Sequence, residues 1–181
     1  MDIKEIRAWL KEHAGDIFSI TEFESNNEEL DRSTWFEQWL GGRDYNDEGY
    51  RFTSIGQDGT GGQFAIWTRL RAVEPHPLVF FGSEGGHGVI AKSARDWLLM
   101  IAHGVGVDEY GPDNGPTAVG PKLNYYFAPD YDDLEAAQGA LSRYRKATVA
   151  RFGDLPSFDE LAAGRDELNA ELRRWVARSV Q

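Results

Sequence analysis

The chain has 181 residues, of which 41% are apolar and 13% aromatic, so it can form one hydrophobic core and does not have the composition of a disordered protein. It contains no cysteine, which excludes disulfides and thiolate chemistry, and no apolar run has the length of a membrane span. The net charge of −11 argues against nucleic acid or an anionic membrane as a partner, because phosphate groups repel such a surface. We expect a cytoplasmic protein without a signal peptide.

Acidic residues are concentrated in the first part of the chain. Residues 1–50 contain 13 Asp and Glu against 5 Lys and Arg, and there are six acids and no base from Asp16 to Asp31. A solvated face that aids solubility would explain this stretch. A docking surface for a basic protein would explain it as well, because opposite charge steers two proteins into contact.

The N-terminal fifty residues contain four predicted segments. Apolar residues at helical spacing predict a helix over residues 2–13. Residues 16–23 are predicted to form a short strand or an extended segment. A short amphipathic helix is predicted over residues 34–40, followed by a polar loop over residues 43–49.

Four short β-favouring segments follow. Residues 52–55 and 63–67 are separated by the glycine-rich segment 56–62, which predicts a hairpin with a loop longer than two residues. Residues 78–81 are all apolar, a pattern typical of a strand covered on both faces. Residues 89–91 follow a second glycine-rich turn. Connections this short cannot cross over a sheet, so an antiparallel meander is expected.

The remaining segments are mainly helical. Ser93 and Asp96 form an S-x-x-D capping pattern that opens a helix ending near His103. A Gly/Pro-rich loop is predicted over residues 106–121, then a helix over residues 131–152.

A second capping pattern begins the last predicted helix. Ser157 and Glu160 form an S-x-x-E box, and apolar spacing continues the helix to about Val180. We therefore expect a single α+β domain over residues 1–181, with an antiparallel meander packed against helices. Its helical C-terminal part, about residues 129–181, follows the Gly/Pro-rich loop.

The segment Gly56–Gly62 invites a nucleotide or calcium interpretation. A phosphate loop requires a lysine after its last glycine, and Gln63 stands there instead. A calcium loop that starts at Asp58 requires a glutamate at its twelfth position, which is Arg69. No two histidines have the spacing of a metal-ligand pair. We therefore expect turn geometry here, and neither a cofactor nor a bound metal.

A second segment suggests nucleophilic catalysis. Ser83, Glu84 and His87 lie within five residues, and a hydrolase needs a serine and a histidine at hydrogen-bond distance with an acid orienting the imidazole. The G-x-S-x-G pattern is absent, and strand alternation would turn Glu84 away from Ser83. A Ser/His hydrolase is a further alternative, and we expect no catalytic residue.

These central motifs together resemble the SUKH superfamily, which includes yeast cell-wall assembly regulators and many bacterial immunity proteins. The resemblance covers about 55 residues. It consists of the glycine turn within Ile55–Trp67, the strand and glycine turn of Pro77–Gly85, and the step from Val89 into the helix after Ser93. The long segment after Gly104 is not part of it.

The resemblance implies an α+β domain without an active site. In bacteria such proteins often bind and neutralise toxins, frequently nucleases, and the acidic composition suits a basic partner. We expect a monomer or weak dimer that binds neither nucleic acid nor membranes. The alternative is a regulator or scaffold of the same fold. The candidate partner-binding residues are Glu22, Glu24, Glu28, Glu29, Asp31, Asp44, Tyr45, Asp47, Glu48, Asp58 and Glu84.

Aromatic residues would supply much of the affinity of such an interface. The candidates are Tyr45, Tyr50 and Trp67. A core position for Trp67 explains its place in a predicted strand equally well.

Overall fold

The computed structural model describes residues 1–26, 50–69, 75–108, 117–119 and 133–179. The helices in these ranges are α1 (Ile3–Glu12), α2 (Ala14–Thr21), α3 (Ala94–Ile101), α4 (Asp133–Phe152), α5 (Phe158–Ala162) and α6 (Arg165–Ser179). The strands are β1 (Glu24–Ser25), β2 (Tyr50–Gln57), β3 (Gln63–Arg69), β4 (Leu78–Phe81), β5 (His87–Ala91), β6 (Gly106–Asp108) and β7 (Thr117–Val119).

Strands β1 to β5 form one sheet in chain order, and every neighbouring pair is antiparallel. Strands β6 and β7 form a separate antiparallel pair. The expected meander and the α+β class are therefore confirmed. The hairpin of β2 and β3 has the predicted long connection, residues 58–62.

Both faces of the sheet are covered. Alternate residues of a strand point to opposite faces, so Leu78 and Phe80 enter one core while Val79 and Phe81 enter another. Helices α1 to α5 contribute to the first core. Helix α6 covers the second face through Leu172, Trp175 and Val176. The two-sided burial predicted for residues 78–81 is confirmed, because all four side chains are buried.

A chain of buried hydrogen bonds joins three of the helices that contribute to the first core. The Trp9 Nε1–H of α1 donates to the hydroxyl of Tyr144 in α4 at 3.0 Å. That hydroxyl donates to the Leu98 carbonyl of α3 at 3.1 Å. Burial raises the pKa of Tyr144, so the phenol stays neutral and keeps its proton for Leu98.

The extended segment predicted for residues 16–23 is wrong, because residues 14–21 form α2. Ile17 and Ile20 are both almost completely buried, and their three-residue spacing places them on one helical face. The Asp16 carboxylate also binds the Arg143 guanidinium of α4 at 2.7 Å. Helix α2 ends at Glu22, which has a left-handed backbone (φ 57°).

Two C-terminal predictions also need correction. The loop predicted over residues 106–121 contains the paired strands β6 and β7, which are too short to leave a periodic pattern. The single last helix is two helices, α5 and α6, which are separated at Ala163 and Gly164. Gly164 has φ +79°, a conformation that ends a helix. The helix predicted over residues 34–40 and the loop over 43–49 lie outside the described residues.

Candidate partner-binding surface

The two glycine-rich turns leave the sheet at the same end. Gln63, the first residue of β3, lies opposite Gln57 of β2 on one side and Phe81 of β4 on the other. Because these strands are antiparallel, the turns 58–62 and 82–86 lie next to each other. Glu24 of β1 is also paired with Gln57, so β1 belongs to this end of the sheet.

Four of the predicted partner-binding acids meet at this end, and we call them the acidic rim: Glu22, Glu24, Asp58 and Glu84. Asp58 is half-buried and the other three are exposed. A Cβ on Gly59 would lie only 3.3 Å from the Glu22 carboxylate, which places that carboxylate beside the first turn. The segments 21–26, 57–63 and 82–87 contain no lysine or arginine.

The C-terminus of α2 adds to the negative potential of the acidic rim. A helix carries partial negative charge at its C-terminus, and the last turn of α2 contains no base to offset it. Glu22 follows directly. The prediction of an extended segment over residues 16–23 misses this contribution, although the spacing of Ile17 and Ile20 is a signal for the helix.

Asp58 has a structural role within the first turn. Its Oδ1 accepts hydrogen bonds from Gly62 N–H at 2.8 Å, from Thr60 N–H at 3.1 Å and from the Thr60 hydroxyl at 2.8 Å. An aspartate that binds the backbone ahead of it in this way organises a turn. Glu22, Glu24 and Glu84 are therefore the members of the rim whose charge is directed mainly at solvent.

Packing explains two glycines of the segment 56–62. A Cβ on Gly56 would overlap the ring of Phe23, and a Cβ on Gly62 would overlap the ring of Phe80. Both rings are buried in the first core. Gly56 and Gly62 are therefore needed so that these rings can lie against the backbone, and Gly61 has a positive φ of +90° that favours glycine. Neither requirement involves phosphate or calcium.

Most of the other predicted partner-binding residues lie outside the described residues: Glu28, Glu29, Asp31, Asp44, Tyr45, Asp47 and Glu48. Trp67 is completely buried under α6 and belongs to the core. Tyr50 begins β2. Asp16, the first acid of the acidic stretch, is paired with Arg143 and is not part of the rim.

Ser83 and His87 are separated by the second turn. The Gly82 N–H donates to the Gly86 carbonyl at 2.7 Å, and Ser83 is exposed. Within the described residues the Ser83 hydroxyl makes no hydrogen bond to His87. His87 is the cross-strand neighbour of Phe81, so its ring faces the α6 side of the sheet.

Burial lowers the pKa of His87, and the positive charge of Arg173 on α6 lowers it further, against the opposing effect of a hydrogen bond with the Gly85 backbone.

Comparisons with known proteins identify no relative of this chain. Neither protein families, nor curated proteins, nor solved structures give a match to this chain. Within the described ranges, no three His, Asp or Glu side chains come together as a metal site. None of the helices that the structure describes combines the length and the apolar character needed to cross a membrane.

Proposed function

We propose that this chain is a non-enzymatic protein-binding domain, an immunity-type protein that binds and neutralises a basic toxin domain of the nuclease class. The observation that carries the proposal is the convergence of Glu22, Glu24 and Glu84 at one end of the sheet. Glu22 and Glu24 lie two residues apart, Glu84 comes from the distant second glycine-rich turn, and no described base lies in the same segments. The resemblance of Ile55–Trp67 and Pro77–Gly85 to the SUKH superfamily agrees with this role.

Electrostatics explain how the acidic rim would act. A cluster of exposed carboxylates attracts a basic surface and raises the rate of association, while it adds little to the affinity of the final complex. Salt weakens this attraction, because the Debye length is only about 8 Å at physiological ionic strength. Nuclease domains carry basic surfaces for their substrate, so the same surface of the toxin would face both nucleic acid and this protein.

A matched pair of variants tests the proposal. The rim variant is Glu22→Lys, Glu24→Lys and Glu84→Lys, with Asp58 kept because it organises its turn. The control variant is Glu12→Lys, Asp154→Lys and Glu167→Lys, which reverses three exposed helix or loop acids and changes the net charge equally. The partner to test is a basic C-terminal domain of a secreted protein, where the neighbouring gene encodes one, and stopped-flow measurements give its association rate at low and high salt.

We expect the rim variant to associate at least about tenfold more slowly at low salt and to lose most of the salt dependence, whereas the control variant behaves like the wild type. Cells that produce the toxin domain should be protected by the wild type and the control but poorly by the rim variant. Equal association rates for both variants would contradict the role of the rim. A neighbouring gene that encodes no such secreted protein would favour the regulator or scaffold.

A further inference from the structure

A cavity of about 610 Å³ lies at the end of the sheet opposite the acidic rim. Thr68, near the end of β3, and His76, just before β4, both line it, whereas the glycine-rich turns lie at the other ends of these strands. Small-molecule sites in proteins have volumes of roughly 300–1,000 Å³. The cavity therefore has room for a small ligand.

The floor of the cavity is formed by polar residues of the same sheet face whose apolar residues belong to the first core. Ile66 and Leu78 are buried in that core. Thr68 and His76 lie two residues away on the same face, and Thr53 is the cross-strand neighbour of Ile66. Polar side chains thus replace apolar ones on this face at the cavity.

Two helices form the described walls. The first turns of α1 and α3 contribute apolar side chains, with Ile6 and Ala94 buried and Ile3 half-buried. Ile66 completes an apolar surface next to the polar floor. A ligand in this cavity would therefore contact an apolar wall with one part and hydrogen-bonding groups with another.

The charges that line the cavity are not equally available. Asp2 Oδ1 accepts a 2.9 Å hydrogen bond from Glu5 N–H and caps α1. Asp96 lies in the first turn of α3, where the helix dipole offsets its negative charge. The exposed guanidinium of Arg95 contacts only the Phe152 ring, 5.6 Å away, among the described groups. Arg95 is therefore the lining charge that makes no ion pair or hydrogen bond with a described residue and can donate to an anionic ligand.

The uncharged polar groups of the floor are also available. Within the described residues, the hydroxyls of Thr53 and Thr68 have no hydrogen-bond partner, and the Nδ1 atom of His76 is buried without one. Hydroxyls and guanidinium groups donate hydrogen bonds to carboxylates, and bonds to a charged group are about twice as strong as neutral ones.

We propose that this cavity binds a small organic carboxylate with an apolar body. The carboxylate contacts Arg95 and the Thr68 hydroxyl, and the apolar body lies against Ile6 and Ile66. The proposal goes beyond the binding of a toxin and does not depend on it, because the acidic rim is at the other end of the sheet.

The test uses three probes with the same eight-carbon chain and different head groups: octanoate, octylamine and octanol. Each is titrated into the ¹⁵N-labelled full chain and followed by amide chemical shifts. We expect octanoate to shift the amides of Thr53, Ile66, Thr68 and His76. It should bind about tenfold more tightly than octanol, a difference that corresponds to one charge-assisted hydrogen bond.

Two variants locate the head group. Arg95→Gln should reduce the advantage of octanoate over octanol about tenfold, whereas the control Arg174→Gln, at an exposed position of α6, should leave it unchanged. Thr68→Val removes one donor at nearly constant volume and should weaken octanoate only. Tighter binding of octylamine, shifts confined to the acidic rim, or binding of none of the probes would each overturn the proposal.

Discussion

The side-chain Oδ1 of Asn169 accepts a hydrogen bond of 2.6 Å from the backbone N–H of Val89. Val89 belongs to β5, the last strand of the sheet, so this N–H points away from its partner β4. Asn169 lies on α6, the helix that covers the second face. One helix therefore buries a sheet face and also occupies part of an open edge, where free backbone groups would favour pairing with other chains.

Replacing Asn169 with Leu should lower the free energy of unfolding by about 1–3 kcal/mol, because the Val89 N–H loses its acceptor in a partly buried place. Urea denaturation measures the change. Asn169→Asp retains an oxygen at the same position and is the matched control. Equal losses in the two variants would show that the hydrogen bond is not the cause.

Tyr144→Phe should lower the free energy of unfolding by about 1–3 kcal/mol, because Trp9 Nε1 loses its acceptor and the Leu98 carbonyl loses its donor. The packing is otherwise preserved, since Phe differs from Tyr only by the hydroxyl. Thermal and urea unfolding measure the loss. A variant as stable as the wild type would mean that these buried groups find other partners.

The stability of the protein should fall as the pH drops below 6.5, the ordinary pKa of a histidine, in part because of His87. Its pKa is lowered in the folded state, so the unfolded chain takes up a proton first, and acid favours unfolding. The contribution of His87 is complete above pH 6.5 and is lost as the pH falls through the lowered pKa.

The comparison of wild type with His87→Gln at several pH values isolates this contribution. The free energy of unfolding of the variant should depend less on pH below 6.5 than that of the wild type. Arg173→Gln should also weaken the dependence, because Arg173 is one cause of the lowered pKa. Parallel curves for wild type and His87→Gln would refute this assignment.

Gly62→Ala should cost about 1–3 kcal/mol, because the new methyl group overlaps the ring of Phe80, which is completely buried and has no space to move. Gly59→Ala is the control in the same turn, since its methyl group meets only the exposed carboxylate of Glu22. In a Phe80→Leu background the Gly62→Ala penalty should shrink, and a double-mutant cycle measures this coupling.

Much of the sheet could be predicted from the sequence, because its connections are short and Leu78–Phe81 is apolar at every position. Helix α2 could not, since a run with Ile17, Phe18 and Ile20 suits a strand equally well, and only the structure shows that Ile17 and Ile20 are buried on one helical face while Phe18 is exposed. The three-residue strands β6 and β7 leave no periodic pattern in a Gly/Pro-rich segment. The break at Gly164 interrupts an apolar spacing that is otherwise continuous.

The sequence offers the acids of the candidate site one by one, but it does not predict how they are arranged. The sequence indicates that Asp58 and Glu84 lie in glycine-rich turns and that Glu24 belongs to the acidic stretch. Their meeting at one end of the sheet depends on strand order and on the pairing of Gln63 with both neighbours. The structural role of Asp58 became visible only from its three hydrogen bonds.

The backbone of the first turn is set by Asp58 and by glycines, whereas the exposed side chains of Glu24, Ser83 and Glu84 make no contribution to the core. Substitutions at these three positions can change the chemistry of the surface while the fold stays the same. A chain with this architecture can thus acquire a new binding specificity through a few local changes. The two turns would then keep their backbone while the exposed side chains vary.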